Sequence, residues 1–251
     1  MTAPVFVVDA LEPSGRTGGA YVLDGPEGRH AVSVKRLRAG EEVVLTDGRG
    51  RWAPGVVRAA EGKDRLVLDL GAVVEEPAER PGITVVQALP KGDRGELAVE
   101  TMTETGVDAI VPWAAARCVT QWRGERGAKA LGKWHATARE AGKQSRRVRF
   151  PEVAEPASSR QVAALLADAA FAAVLHEDRD YPSEPLATAE LPAEGRIVLV
   201  VGPEGGVSPE ELALFGEAGA RAYRLGRTVL RTSTAGTAAA ALLLGRTGRW
   251  S

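Results

Sequence analysis

The chain has 251 residues, 44% hydrophobic and 26% charged, with a formal net charge of -1. That balance excludes a disordered or fibrous chain, and the length suits one large domain or two modest ones. A single cysteine, Cys118, excludes a disulfide scaffold, and His30, His135 and His176 lie too far apart in sequence to form a metal-ligand motif.

The N-terminus, MTAPVFVVDA, has no basic segment ahead of its apolar residues, so no signal peptide is expected and a reducing cytoplasm is the expected compartment. Residues 1–72 carry short apolar runs (VFVVDAL, AYVL, EEVVLTDG, WAPGVVRAA, RLVLDL) separated by Gly, Pro and Asp, the pattern of a small β-barrel. Between Asp24 and Gly40 one short basic helix is predicted. Residues 73–82 hold two prolines among charged residues and read as a linker. From residue 83 to 251 the pattern changes. ITVVQAL, VDAIVPW, FAAVLHED and RIVLVVG are predicted strands, and GELAVETMTETG is a helix ended by Gly106. Residues 127–149 are predicted as a basic helix. SPEELALFGEAG has Ser208, Pro209 and Glu211 in the order of a capping box, and TSTAGTAAAALLLGR is a helix that Thr232, Ser233 or Thr234 could cap. Strands alternating with helices at this spacing predict an α/β domain with a mostly parallel sheet, whose ligands gather at the carboxyl ends of the strands. No apolar run approaches the ~20 residues that span a bilayer, so no membrane partner is expected.

Charge is distributed unevenly. Residues 117–149 hold ten Lys or Arg against two acids, residues 150–195 nine acids against two Arg, and residues 29–58 seven basic against three acidic side chains. Two basic regions in a nearly neutral protein suit a polyanionic partner, although solvated faces have the same appearance. The excess of Arg over Lys, with no Asn in the chain, also fits a genomic composition bias.

The most informative stretch is RIVLVVGPEGGVSPEE, in which an apolar strand runs through GPEGG into a capped helix. It has neither the G-x-G-x-x-G of a dinucleotide site nor the Gly-Lys-Ser/Thr of a P-loop. Glycines 202, 205 and 206 permit positive φ and close backbone approach, so the loop either presents main-chain groups to a planar neutral ligand such as adenine or is simply a tight turn. LGRTVLRTSTAG follows, with Arg231 entering a helix of small residues whose uncharged face suits a dimer seam.

In these segments the chain resembles the SPOUT class of RNA methyltransferases, and more narrowly the bacterial RsmE family of 16S rRNA uridine-N3 methyltransferases. Further matches are His30 with Arg36 and Leu37, KGDRGE from Lys91, TETGV from Thr103, Arg117 with Cys118, and Trp134, Gln144, Ser145, Arg147 and Pro151. Ser233 stands where the family pattern has Glu, and Thr101 where it often has Lys.

The resemblance implies an α/β fold with a C-terminal trefoil knot and a PUA-like β-barrel in front of it, the whole acting as a homodimer. It also implies S-adenosylmethionine as cofactor and one uridine (uridine 1498) of 16S rRNA in the assembled 30S subunit as target; no metal is expected, because no Cys/His cluster has ligand spacing. Carried over by position, the cofactor pocket would use Leu175, His176, Val201, Gly202, Pro203, Glu204, Gly205, Leu225, Gly226, Leu230, Thr232, Ser233, Thr234 and Ala235. Methyl transfer to uracil N3 builds charge on O2 and O4, for which Arg231 and then Arg94 are the candidate catalytic residues. His30, Lys35, Arg36, Arg38, Lys91, Arg117, Arg139, Lys143, Arg146 and Arg147 are the candidate RNA contacts. A SPOUT ribose 2′-O methyltransferase and a non-catalytic rRNA-binding assembly factor are the alternatives.

Overall fold

A computed structural model describes residues 3–11, 19–177 and 181–250. The chain divides into two compact units, Met1–Ala78 with Gly142–Phe150, and Glu79–Ala141 with Pro151–Ser251.

The first unit is built on a six-stranded sheet. Its strands are β1 (Val5–Val7), β2 (Gly19–Leu23), β3 (Glu42–Thr46), β4 (Arg51–Glu61), β5 (Arg65–Leu70) and β6 (Val74–Glu75), in the order β1-β3-β4-β5-β2, with β6 pairing β4. In β4 buried Ala53, Gly55 and Val57 alternate with exposed Pro54, Val56 and Arg58, the period of a strand with one face on a core. Phe6, Leu45, Leu66 and Leu68 fill that core. The predicted basic helix is shorter and less regular than expected: α1 (Gly25–Arg29) passes directly into a π-helical turn, His30–Val34, closed by Lys35 N–H on the His30 carbonyl. A side chain at Gly28 would meet the Asp64 and Leu23 carbonyls, so this helix needs glycine there.

Part of the segment expected as a linker, Val74–Glu75, is thus a strand of this unit. Gly142–Phe150 adds to it from the middle of the chain. Gly50 N–H bonds Val148 O, Phe150 N–H bonds Gly48 O, and the Thr46 hydroxyl donates to Val148 O.

The second unit is a seven-stranded sheet in which every pairing is parallel, ordered β11-β13-β10-β12-β7-β8-β9. The strands are β7 (Gly82–Ala88), β8 (Ala109–Trp113), β9 (Glu152–Val153), β10 (Phe171–Leu175), β11 (Glu184–Pro185), β12 (Arg196–Val201) and β13 (Arg221–Arg224). The α-helices are α2 (Arg94–Thr105), α3 (Gly124–Gln144, whose end from Gly142 belongs to the first unit), α4 (Ser159–Ala167), α5 (Pro209–Glu217) and α6 (Thr232–Arg246). β12 is buried from Ile197 through Val201, the continuous apolar run of a strand covered on both faces. One face carries Ile83, Val85 and Leu199 under α2 and α6; the other carries Val86, Val198 and Val200 under α4 and α5.

Local signals hold in the structure. Gly106 ends α2 in the left-handed region at φ 115°, and capping boxes open α4 at Ser158 and α5 at Ser208. The basic helix ends at Gln144, five residues before the predicted Arg149, and Arg146 then takes a positive φ.

After β13, near one side of the sheet, α6 returns to pack on α2, β7 and β12. Small residues allow that approach. A side chain at Gly236 would come within 2.9 Å of Met102 Sδ and 3.3 Å of Val85 Cγ1. Gly236→Val should therefore lose about 1–3 kcal/mol, read as a lower urea midpoint.

Candidate functional site

Because the strands run parallel, the turns that follow β7, β8, β10, β12 and β13 emerge at one edge of the sheet. The GPEGG turn leaves β12 there. Of its three glycines only Gly206 adopts a positive φ, 73°. Gly202 is required for space instead, since a side chain would sit 2.9 Å from Val207 Cγ2, and Gly205 lies against Arg117.

Much of the turn's polar surface is already engaged. Gly202 O accepts the Thr232 hydroxyl at 3.1 Å, Pro203 O accepts Gly206 N–H, and Gly205 O accepts the Arg117 guanidinium at 3.1 Å. The Glu204 carboxylate takes the Lys91 N–H at 3.2 Å, joining the KGDR segment to the turn.

Below it, the buried Glu211 carboxylate accepts Ala116 N–H at 2.8 Å, the Ser159 hydroxyl at 2.7 Å and Ser208 N–H at 3.2 Å. Trp113 Nε1 donates to the same Ser159 hydroxyl. Cys118 lies nearby, with its thiol pushed up in pKa mainly by burial, which leaves it protonated and a poor nucleophile at neutral pH.

Beside this turn is a cavity that opens to solvent. Its walls are residues 175–177 at the end of β10 and residues 223–230 from the end of β13 onward, with Ala235 from α6. Of the expected cofactor residues, Leu175, His176, Leu225, Gly226, Leu230 and Ala235 line it. Val201 at the end of β12, Gly202 through Gly205 in the turn, and Thr232, Ser233 and Thr234 at the start of α6 are not among its lining residues. His176 Nδ1 is buried there without a hydrogen-bond partner among the described residues, an unmet polar group at the cavity wall. Asp178, the last residue of the predicted FAAVLHED strand, falls outside the described residues; the strand itself stops at Leu175.

Arg231 sits next to Leu230 on this rim. It is the N-cap residue of α6, and no side chain caps that helix. The expected cap by Thr232, Ser233 or Thr234 is absent because Thr232 reaches across to Gly202 while Thr234 bonds back to Arg231 O. Ser233 is buried. The Arg231 side chain is exposed, and Arg94 is half-buried at the start of α2.

The candidate RNA contacts fall in both units. In the first, Lys35, Arg36, Arg38 and Arg146 are exposed, while His30 is half-buried with its ring edge-on to Phe6. Lys143 is placed differently from expectation: it is buried, with its ammonium 2.9 Å from Glu27 Oε1, so it serves as an internal ion pair rather than a phosphate contact. Arg147 is half-buried, its Nε donating to Arg149 O. In the second unit Lys91, Arg117 and Arg139 are exposed. Among the described residues no group of acids, His or Cys is placed to hold a metal, and no helix is long and apolar enough to cross a membrane.

Residues 77–244 match the profile of an RNA methyltransferase domain, and residues 23–70 that of an RNA methyltransferase PUA domain. The chain is 46% identical over its full length to ribosomal RNA small subunit methyltransferase E of Mycobacterium tuberculosis, covering 94% of that protein. It belongs to the RsmE family. A Neisseria gonorrhoeae RsmE solved with S-adenosylmethionine superposes at a TM-score of 0.84, with 30% identity and 98% of each chain covered. A Legionella pneumophila protein solved with the same cofactor gives 0.80 at 28% identity, again covering 98% of each chain. The RsmE fold, a PUA domain and an α/β SPOUT domain, is therefore the fold of this protein.

The RsmE resemblance left several wall residues unnamed: Glu177, Tyr223, Arg224, Arg227, Thr228 and Val229. The polar tail of HED and the Arg-rich run before LRT were the available signals. Glu211→Ala would strip three donors of a charged acceptor and should destabilise the protein by about 3 kcal/mol in a urea titration. Calorimetry should also find S-adenosylmethionine bound more weakly, because the turn loses its anchor.

Proposed function

We propose that this protein methylates N3 of one uridine, uridine 1498, in 16S rRNA of the assembled 30S subunit, using S-adenosylmethionine, as a homodimer in the cytoplasm. The observation that carries the reading is the cavity at the carboxyl edge of the parallel sheet, lined by Leu230 of the family's LRT motif, in an RsmE chain. Its place at the strand ends and the His176 nitrogen, which has no partner among the described residues, suit a nucleoside cofactor. Residues 175–177 and 225–230 would hold it.

The bound cofactor supplies a methyl group already activated on a sulfonium. What the chain must do is orient the uracil and favour loss of the N3 proton. As that proton leaves, negative charge spreads onto O2 and O4, and a guanidinium fixed beside them lowers the barrier. Arg231 suits this role because its backbone is held at the helix start while its side chain is exposed at the rim. Arg94 is the second candidate. Thr232, spanning to Gly202, holds the LRT segment against the GPEGG turn and so positions Arg231. The exposed Lys35, Arg36, Arg38, Lys91, Arg117, Arg139 and Arg146 are the phosphate contacts of this reading.

Nucleoside mass spectrometry of rRNA from cells with and without the gene tests the assignment. The expected result is loss of 3-methyluridine; loss of a 2′-O-methyl nucleoside would favour the ribose alternative, and no change a non-catalytic role. Arg231→Ala should lower turnover by about 100-fold or more with cofactor affinity nearly unchanged. Affinity for 30S subunits should fall steeply between about 50 and 200 mM salt in a binding titration.

A further inference from the structure

Among the described residues lining the cavity, Glu177 is the one acidic side chain. It follows His176 at the end of β10, and its Oε1 lies 3.2 Å from where a side chain on Gly206 would begin, so the carboxylate stands between the cavity and the GPEGG turn. No hydrogen bond or ion pair of Glu177 with another described residue is formed. Arg117 Nη1 lies 3.9 Å from the same point and remains bound to Gly205 O. Arg224, elsewhere on the wall, is engaged with Ser183.

A carboxylate at a cavity wall with no partner among the described residues is poised for a cationic ligand. S-adenosylmethionine carries a sulfonium, whereas S-adenosylhomocysteine, the product of methyl transfer, is a neutral thioether of nearly the same shape. In the transfer the S–CH3 bond breaks, its electron pair stays on sulfur, the N3–CH3 bond forms and the N3 proton goes to solvent. Shape alone distinguishes the two poorly; a negative charge on the wall does so directly.

We propose that Glu177 is a specificity-determining residue that favours the charged methyl donor over its neutral product and so assists product release. The inference rests on the S-adenosylmethionine reading above and adds a residue and a selectivity to it.

Calorimetric titration of the wild-type protein and Glu177→Gln with each compound, at low and at moderate salt, tests it. In Glu177→Gln, affinity for S-adenosylmethionine should fall about three- to tenfold while that for S-adenosylhomocysteine stays within error. The wild-type preference should also shrink as salt rises, because an exposed carboxylate is screened. Glu177→Asp should recover part of the preference, and unfolding midpoints of the three proteins should agree. Equal loss for both compounds would overturn the proposal and assign the carboxylate to the shared ribose or amino-acid groups. No loss for either would also overturn it. Failure of the wild-type protein to bind S-adenosylmethionine at all would instead remove the functional reading on which it stands.

Discussion

The carboxylate of Glu211 ties together three pieces of chain that the sequence keeps far apart. It closes the capping box of α5 through Ser208, holds Ala116 after β8, and meets Ser159 at the start of α4. A charged acceptor that takes three donors in a buried place is stable only if all three stay, so the GPEGG turn is held from below before any ligand arrives. Arg117, Thr232 and Lys91 then fasten it from its flanks. Had these donors been free, binding a cofactor would have had to order the turn at the cost of affinity.

Such an arrangement explains why the cavity wall lies where it does. The residues that face the space come from the ends of β10 and β13, next to the GPEGG turn. The turn acts as a buttress, and its glycines serve that role differently. Gly206 supplies a left-handed backbone, while Gly202 and Gly205 leave room for Val207 and Arg117.

Features that depend on neighbours in sequence were legible. The Ser208–Glu211 box, the Gly106 stop and the apolar run of β12 follow from local chemistry and from burial on two faces. What depends on distant partners was not. Lys143 carries the marks of a phosphate contact until Glu27, 116 residues away, is seen to take its ammonium. The hydroxyl-rich start of α6 suggests a cap, yet Thr232 spends its hydroxyl on Gly202 and Arg231 becomes the cap residue. Glu177 gave no signal beyond lying in a polar strand end, because its significance depends on Gly206 and on the fold of residues 223–230. The motif resemblance located the region; only the packing separates wall from buttress.

The nine residues Gly142–Phe150 have a bearing on how the protein is made. They supply Val148 and Phe150 to the edge of the first unit and Lys143 to Glu27, yet they are synthesised after β7, α2 and β8 of the second. A fragment ending at Ala78 would leave the Thr46 hydroxyl, the Gly50 amide, the Gly48 carbonyl and the Glu27 carboxylate without these partners. The amino-terminal unit is thus incomplete without residues from the middle of the chain. Its completion waits until more than half of the polypeptide has emerged, which couples the maturation of the two halves.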